Sequence, residues 1–107
     1  MFTRVVEIHT KTGKTKELSA TINDKVLPIL KKQSGFVDEI TLVSSTEPDR
    51  ILALSFWMSE EDATRYNNEQ FPKVDEIMRP LLETAPKVET FNVDISTTHH
   101  ISKGKAA

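Results

Sequence analysis

The segment that most constrains this chain is Ile51–Met58, Ile-Leu-Ala-Leu-Ser-Phe-Trp-Met, in which Ser55 is the only polar residue. An apolar run this short, apolar at both odd and even positions, reads as a strand covered on both sides rather than as one stripe of an amphipathic helix. The chain has 107 residues, enough for one small domain with one core layer. The partners that cover this strand must therefore come from a short list of other segments.

Phe2–Thr10 is rich in β-branched residues and places Val6 and Ile8 on one face, Val5 and His9 on the other, which predicts a strand. After a turn at Lys11-Thr12-Gly13-Lys14, Leu18, Ile22, Val26, Ile29 and Leu30 recur at helical spacing. Lys31 and Lys32 suit the negative end of that helix and Gly35 the left-handed position beyond it, while Pro28 requires a kink or local compensation. Phe36–Ser45 reads as a second strand with Phe36, Ile40 and Leu42 on one face and Val37 and Val43 on the other. Thr46-Glu47-Pro48-Asp49 is a turn, so the strand over Ile51–Met58 returns antiparallel to it.

Ser59 followed by Glu60, Glu61 and Asp62 predicts a capped helix start. This helix is expected to break near Asn67-Asn68 and to restart at Phe71-Pro72, with Val74, Ile77, Met78, Leu81 and Leu82 at helical spacing until Pro80 and Pro86 end the pattern. Val88–Ser96 alternates Phe91, Val93 and Ile95 with Thr90, Asn92 and Asp94, a final strand. Residues 1–98 thus form the expected domain, and residues 99–107 are expected to be a flexible tail.

Strand, helix, strand, strand, helix, strand is the ferredoxin-like βαββαβ order, an α+β fold with a four-stranded antiparallel sheet and two helices on one face. Two helices cannot cover Ile40, Leu42, Leu52, Leu54 and Phe56 together with Val43, Ile51 and Ala53. An identical sheet on the other face, in a homodimer, is the expected solution.

Composition excludes several classes. Apolar residues make up 37% and charged residues 28%, which is too hydrophobic for a disordered chain, and no stretch approaches the length of a membrane span. There is no cysteine, which removes disulfides, thiolate catalysis and cysteine-held metals. Residues 1–35 carry seven basic and three acidic side chains and residues 36–98 five and thirteen, but the lysines flank helical apolar spacing without aromatic platforms, so no nucleic-acid surface is expected. Met1–Val6 enters β-like sequence at once, and a cytoplasmic location without membrane contact is expected.

Taken together, Gly35-Phe36-Val37, Leu54-Ser55-Phe56-Trp57, Ser59-Glu60-Glu61-Asp62-Ala63 and Phe71-Pro72 resemble the antibiotic biosynthesis monooxygenase (ABM) domain family over roughly residues 2–96. The resemblance implies a dimeric α+β barrel in which two sheets pack face to face. It implies activities that include oxygenation of anthrone-like polyketides and hydroquinones without metal or flavin, haem degradation and an isomerisation. The haem-degrading branch uses a histidine on the second helix and an asparagine on the first strand. Residues 59–83 contain no histidine and Phe2–Thr10 no asparagine, with Asp75 or Glu76 near the ligand position, so haem is not expected.

Trp57 occupies the place of the family's tryptophan; its ring either packs as core or forms a wall for a flat substrate and donates its indole N–H to a bound oxygen. Tyr66, the sole tyrosine, can hold or deprotonate a substrate hydroxyl. His9 is the candidate general base, because imidazole titrates near neutral pH. His9, Trp57 and Tyr66 are thus the catalytic candidates, and Trp57, Tyr66, Phe71 and Ser55 the substrate-binding ones. Asn67 and Asn68 read as a helix stop. Glu7 and Asp94 fall on polar positions of strands expected to be neighbours, and Arg4 or Arg79 can balance a carboxylate. His99-His100 lacks the fixed geometry of a metal site, and no phosphate loop, zinc motif or nucleophile elbow occurs, so no metal and no cofactor is expected.

The expected function is cofactor-independent oxygenation of a small electron-rich aromatic or quinol by O2. The alternatives are a non-catalytic dimeric barrel binding a small hydrophobic metabolite, and a cofactor-free isomerase in the same pocket.

Overall fold

The computed structural model describes residues 1–98. The expected tail at residues 99–107, with the His99-His100 pair, lies outside the described residues. Strand β1 is Phe2–His9, β2 Phe36–Val43, β3 Arg50–Trp57 and β4 Lys87–Asn92. Helix α1 spans residues 15–31, α2 is Glu60–Glu69 and α3 is Phe71–Met78, followed by a 3-10 turn at Arg79–Leu81. The strands pair antiparallel in the order β2-β3-β1-β4, the ferredoxin-like arrangement.

Two parts of the expected architecture are corrected. The sheet is open: β2 and β4 are its edges and do not pair with each other, so the chain does not form a barrel. Three helices, not two, pack on one face, because the second helical region is divided at Gln70. The Gln70 N–H still closes α2 onto the Tyr66 carbonyl, but Pro72 has no N–H with which to continue, and α3 begins afresh at Phe71. The break thus falls at Gln70 rather than at Asn67-Asn68.

Pro28 is accommodated inside α1. The helix runs as Thr15–Thr21, widens into a π turn at Ile22–Val26, and resumes as Leu27–Lys31. The Leu27 N–H reaches back to the Ile22 carbonyl, five residues away, so the extra residue absorbs the missing donor of the proline that follows. Leu18, Ile22, Val26 and Leu30 remain on one buried stripe. At the start of α2, Ser59 Oγ accepts from the Asp62 N–H at 3.2 Å and donates to Asp62 Oδ2 at 2.9 Å, the expected cap.

Register decides which residues meet. Phe36, Trp57, Phe2 and Asn92 form one row across the sheet, and Glu39, Ser55, Arg4 and Thr90 another. Both rows belong to the helix-covered face, where Ile8, Ile51 and Trp57 are fully buried. A bulge at Val37 puts Phe36 opposite Trp57 and Asp38 opposite Phe56. Phe36 therefore joins the covered face, its ring edge-on to Trp57 at 5.7 Å, while Ile40 and Leu42 stay on the open face opposite Leu54 and Leu52. The single face expected for Phe36, Ile40 and Leu42 is corrected accordingly. Strand β4 stops at Asn92 rather than Ser96, because its last rung is the Val93 N–H to the Met1 carbonyl and no described strand lies beside residues 94–96.

Candidate active site

Alternation along β1 turns Phe2, Arg4, Val6 and Ile8 toward the helices. Three of these are ordinary core residues; the fourth is a guanidinium. Arg4 is only 2% exposed. Its Nη2 donates to Asn67 Oδ1 at 2.9 Å, and its Cζ stands 5.0 Å from the centre of the Tyr66 ring and 4.5 Å from that of Phe71. Its Nε is buried without a hydrogen-bond partner, and no described carboxylate pairs with it. Burial holds the guanidinium below its ordinary pKa, partly offset by Tyr66. Because a guanidinium's ordinary pKa is so high, the charge persists at neutral pH.

Tyr66 comes from the inner face of α2 and is buried between Trp57, 5.1 Å away ring to ring, and Phe71, 6.3 Å away. Burial pushes its phenol up to about 12; Arg4 pulls it down and Glu39 pushes it further up. At neutral pH Tyr66 is therefore a hydrogen-bond donor and not a base. Glu39, from β2, is half-buried and accepts from Thr41 Oγ1 at 2.8 Å. Burial raises its carboxyl above the usual carboxylate range, the Thr41 hydroxyl opposes that shift and Asp38 adds to it.

These groups line one cavity between sheet and helices, of about 30 Å³, otherwise walled by apolar side chains such as Val26, Val74 and Met78. Ser55 and Phe71 also line it. Trp57 does not: it is fully buried beside the site, and its Nε1 donates to Ser55 Oγ at 2.9 Å. The structure thus brings together Ser55, Trp57, Tyr66 and Phe71 from among the sequence candidates.

His9 is placed elsewhere. Its odd position in β1 puts it on the open face, 3.6 Å from Glu7 Oε2, and that carboxylate also accepts from Arg50 Nε at 2.8 Å. The Arg50 hydrogen bond is the main reason Glu7 titrates below the usual carboxylate range. The sheet separates His9 from Tyr66 and Trp57, so the expected grouping of these three in one site is corrected. Arg79 is occupied by Asp75, which accepts both Arg79 Nε and Nη2 at 2.9 and 2.7 Å, and Asp94 lies beyond the end of β4. Asn67 is not a helix stop but the partner of Arg4.

Arg4 was visible as the one charged residue on an otherwise apolar strand face. Glu39 carried no such signal, since nothing in Phe36–Ser45 shows which face meets the helices. Among the described residues no three His, Asp or Glu side chains gather as a metal-ion site, and no helix is long and apolar enough to cross a membrane.

With this fold and site in view, the comparisons with other proteins identify a family. The model of the antibiotic biosynthesis monooxygenase family matches residues 1–71, and the chain belongs to that family. Arg4, Glu39, Ser55, Trp57, Tyr66 and Phe71 all lie inside the matched span. The fold is shared with NE2512 of Nitrosomonas europaea, a protein of unknown function, at TM-score 0.76 and 17% identity over 92% of this chain and 94% of that one. It is shared with the monooxygenase ActVA-Orf6 of Streptomyces coelicolor, solved with nanaomycin D, at TM-score 0.74 and 17% identity over 92% of each chain. SnoaB, a cofactor-independent oxygenase of Streptomyces nogalater, gives TM-score 0.74 and 14% identity over 92% of this chain and 97% of its own. At these identities the likeness is one of fold. No curated protein matches the chain in sequence.

Proposed function

We propose that the protein is a cofactor-independent monooxygenase acting on a small electron-rich aromatic or quinol. The observation that carries this reading is that, in a chain of this family, a buried cation, a protonated phenol and a carboxylate of raised pKa line one apolar cavity. Two structural neighbours described as a monooxygenase and a cofactor-independent oxygenase support it.

The chemistry follows from those groups. A carboxylate with a raised pKa is a stronger base than an ordinary one, and Glu39 takes the proton of a substrate hydroxyl or of an activated carbon. Arg4 stabilises the resulting anion and Tyr66 donates a hydrogen bond to it in a site of low dielectric. The anion gives one electron to O2, the radical pair combines at carbon, the peroxide anion takes back the proton held by Glu39, and the hydroperoxide loses water together with the hydrogen on that carbon to leave a carbonyl. One oxygen atom ends in the product and the other in water. A cavity of about 30 Å³ has room for dioxygen or about two waters, so the substrate ring enters by displacing the half-buried Phe71 at the first turn of α3. Trp57 serves here as support: it backs Tyr66 and orients Ser55.

The active form in this reading is a homodimer joined through the open sheet face, where Ile40, Leu42 and Phe91 remain 40%, 45% and 50% exposed. The test is dissolved-oxygen uptake by chelator-treated protein with hydroquinones, anthrones and polyphenols, alongside Tyr66→Phe and Glu39→Gln. Uptake above autoxidation that falls at least tenfold in both variants is expected. Uptake that never exceeds autoxidation refutes the reading.

A further inference from the structure

A buried charge is ordinarily paired or bound to a ligand, because removal from water costs far more than aromatic contacts and one amide return. Among the described residues Arg4 meets neither condition: its partners are a neutral amide and two ring faces, and Nε has none. Asn67 holds one edge of the guanidinium, and the rings of Tyr66 and Phe71 fix its plane, so the group is oriented without being neutralised. That is the electrostatic form of an anion site, and a planar guanidinium matches a carboxylate's two oxygens.

A second constraint comes from the sheet. Arg4 and Glu39 lie in one cross-strand row on either side of Ser55, so their backbones are roughly 10 Å apart and their side chains line the same cavity. A ligand between them meets a fixed cation on one side and a proton acceptor on the other, with the Tyr66 ring providing aromatic surface once Phe71 has moved aside. A single aromatic ring bearing an acid on one side and a hydroxyl on the other matches that order of groups.

We propose that this cavity selects a hydroxylated aromatic acid, whose carboxylate is anchored by Arg4 while its hydroxyl faces Glu39. This rests on the reading of the cavity as the substrate pocket and narrows it to a substrate class. Arg4 then discriminates by charge, and Glu39 by the presence of a hydroxyl.

Binding measured by calorimetry tests this independently of turnover. The probes are 2,5-dihydroxybenzoate, its neutral isostere 2,5-dihydroxybenzamide, and benzoate, at pH 7 with the full chain. The acid is expected to bind at least tenfold more tightly than the amide, and benzoate more weakly than the dihydroxy acid. Arg4→Met is expected to equalise acid and amide, and Arg4→Lys to retain part of the preference. Arg4→Met also removes an uncompensated buried charge, so its Tm is expected to be no lower than that of the parent chain. If Arg4→Met fails to fold, the acid-to-amide ratio of the parent and of Arg4→Lys decides. Equal binding of acid and amide by the parent chain, or a preference that survives in folded Arg4→Met, overturns the proposal. Oxygen uptake separates the two readings. Arg4-dependent acid binding without uptake refutes only the oxygenase, and uptake as fast with the neutral amide as with the acid refutes only the acid anchor.

Discussion

Gly35→Ala tests the junction that sets the site. Gly35 adopts φ +82°, a conformation that costs an L-residue roughly 1–2 kcal/mol. Its carbonyl accepts the Met58 N–H at 2.8 Å, which ties the start of β2 to the residue after Trp57. A Cβ at Gly35 would overlap the Asp62 carboxylate, the group that closes the Ser59 cap and accepts from Arg65 Nη1 at 3.0 Å. Asp62 must then swing away, and loss of such a cap costs about 1 kcal/mol. The sum is about 2–3 kcal/mol, a large part of the total stability of a domain of this size, and corresponds to a fall in Tm of about 10 °C. Gly13→Ala is the control, because Gly13 also has positive φ, +75°, but nothing stands where its Cβ would go. Only the backbone term, roughly 1–2 kcal/mol, applies there. Urea unfolding followed by circular dichroism, at one pH and salt concentration, measures both variants. If Gly35→Ala costs no more than Gly13→Ala, Asp62 does not fill the space over Gly35, and the coupling of the cap to the Trp57 strand end is wrong.

Trp57→Phe is expected to cost about 1–3 kcal/mol through lost volume and the broken bond to Ser55, with turnover per folded molecule unchanged; a tenfold loss in a folded variant would mean that the indole touches substrate. Glu39 has a folded pKa raised by burial, so the native state holds its proton to higher pH than the unfolded chain does, and stability falls as pH rises from the ordinary carboxylate range through the raised value. Glu39→Gln is expected to flatten that fall in urea midpoints and to remove the acidic limb of the oxygen-uptake profile; an unchanged limb would assign it to another group. Leu42→Lys puts a charge on the open face along its β2 edge and is expected to halve the sedimenting mass, whereas an unchanged mass would place the dimer contact elsewhere.

Order and periodicity made the four strands, the Ser59 cap and the α1 stripe legible, since each rests on local chemistry. What escaped depended on a single residue changing phase. The bulge at Val37 moves Phe36 to the opposite face from Ile40, and no propensity marks Val37 as the extra residue. The break at Gln70 lies two residues before a proline whose effect could be placed only to within a few residues. For the site, aromatic identity was legible in Trp57, Tyr66 and Phe71, but side was not. His9 has suitable chemistry and the wrong parity, and Asn67 looks like a helix terminator until Arg4 is seen beneath it.

The residues that sequence logic treated as minor are the ones that violate local consistency, and the violation is informative. An arginine at an alternating core position, in a row with a serine and a half-buried glutamate, weakens a sheet face that valine or leucine would fill more favourably. Its three neighbours on the same strand face, Phe2, Val6 and Ile8, show that the fold supplies an apolar environment there and does not itself require a charge. Asn67, Tyr66 and Phe71 orient the guanidinium, and among the described residues no carboxylate pairs with it, which is what the proposed anion anchor rests on. Replacing Arg4 with an apolar residue should therefore separate stability from ligand selection. A purely structural arginine would lose the first, and an anchoring arginine the second.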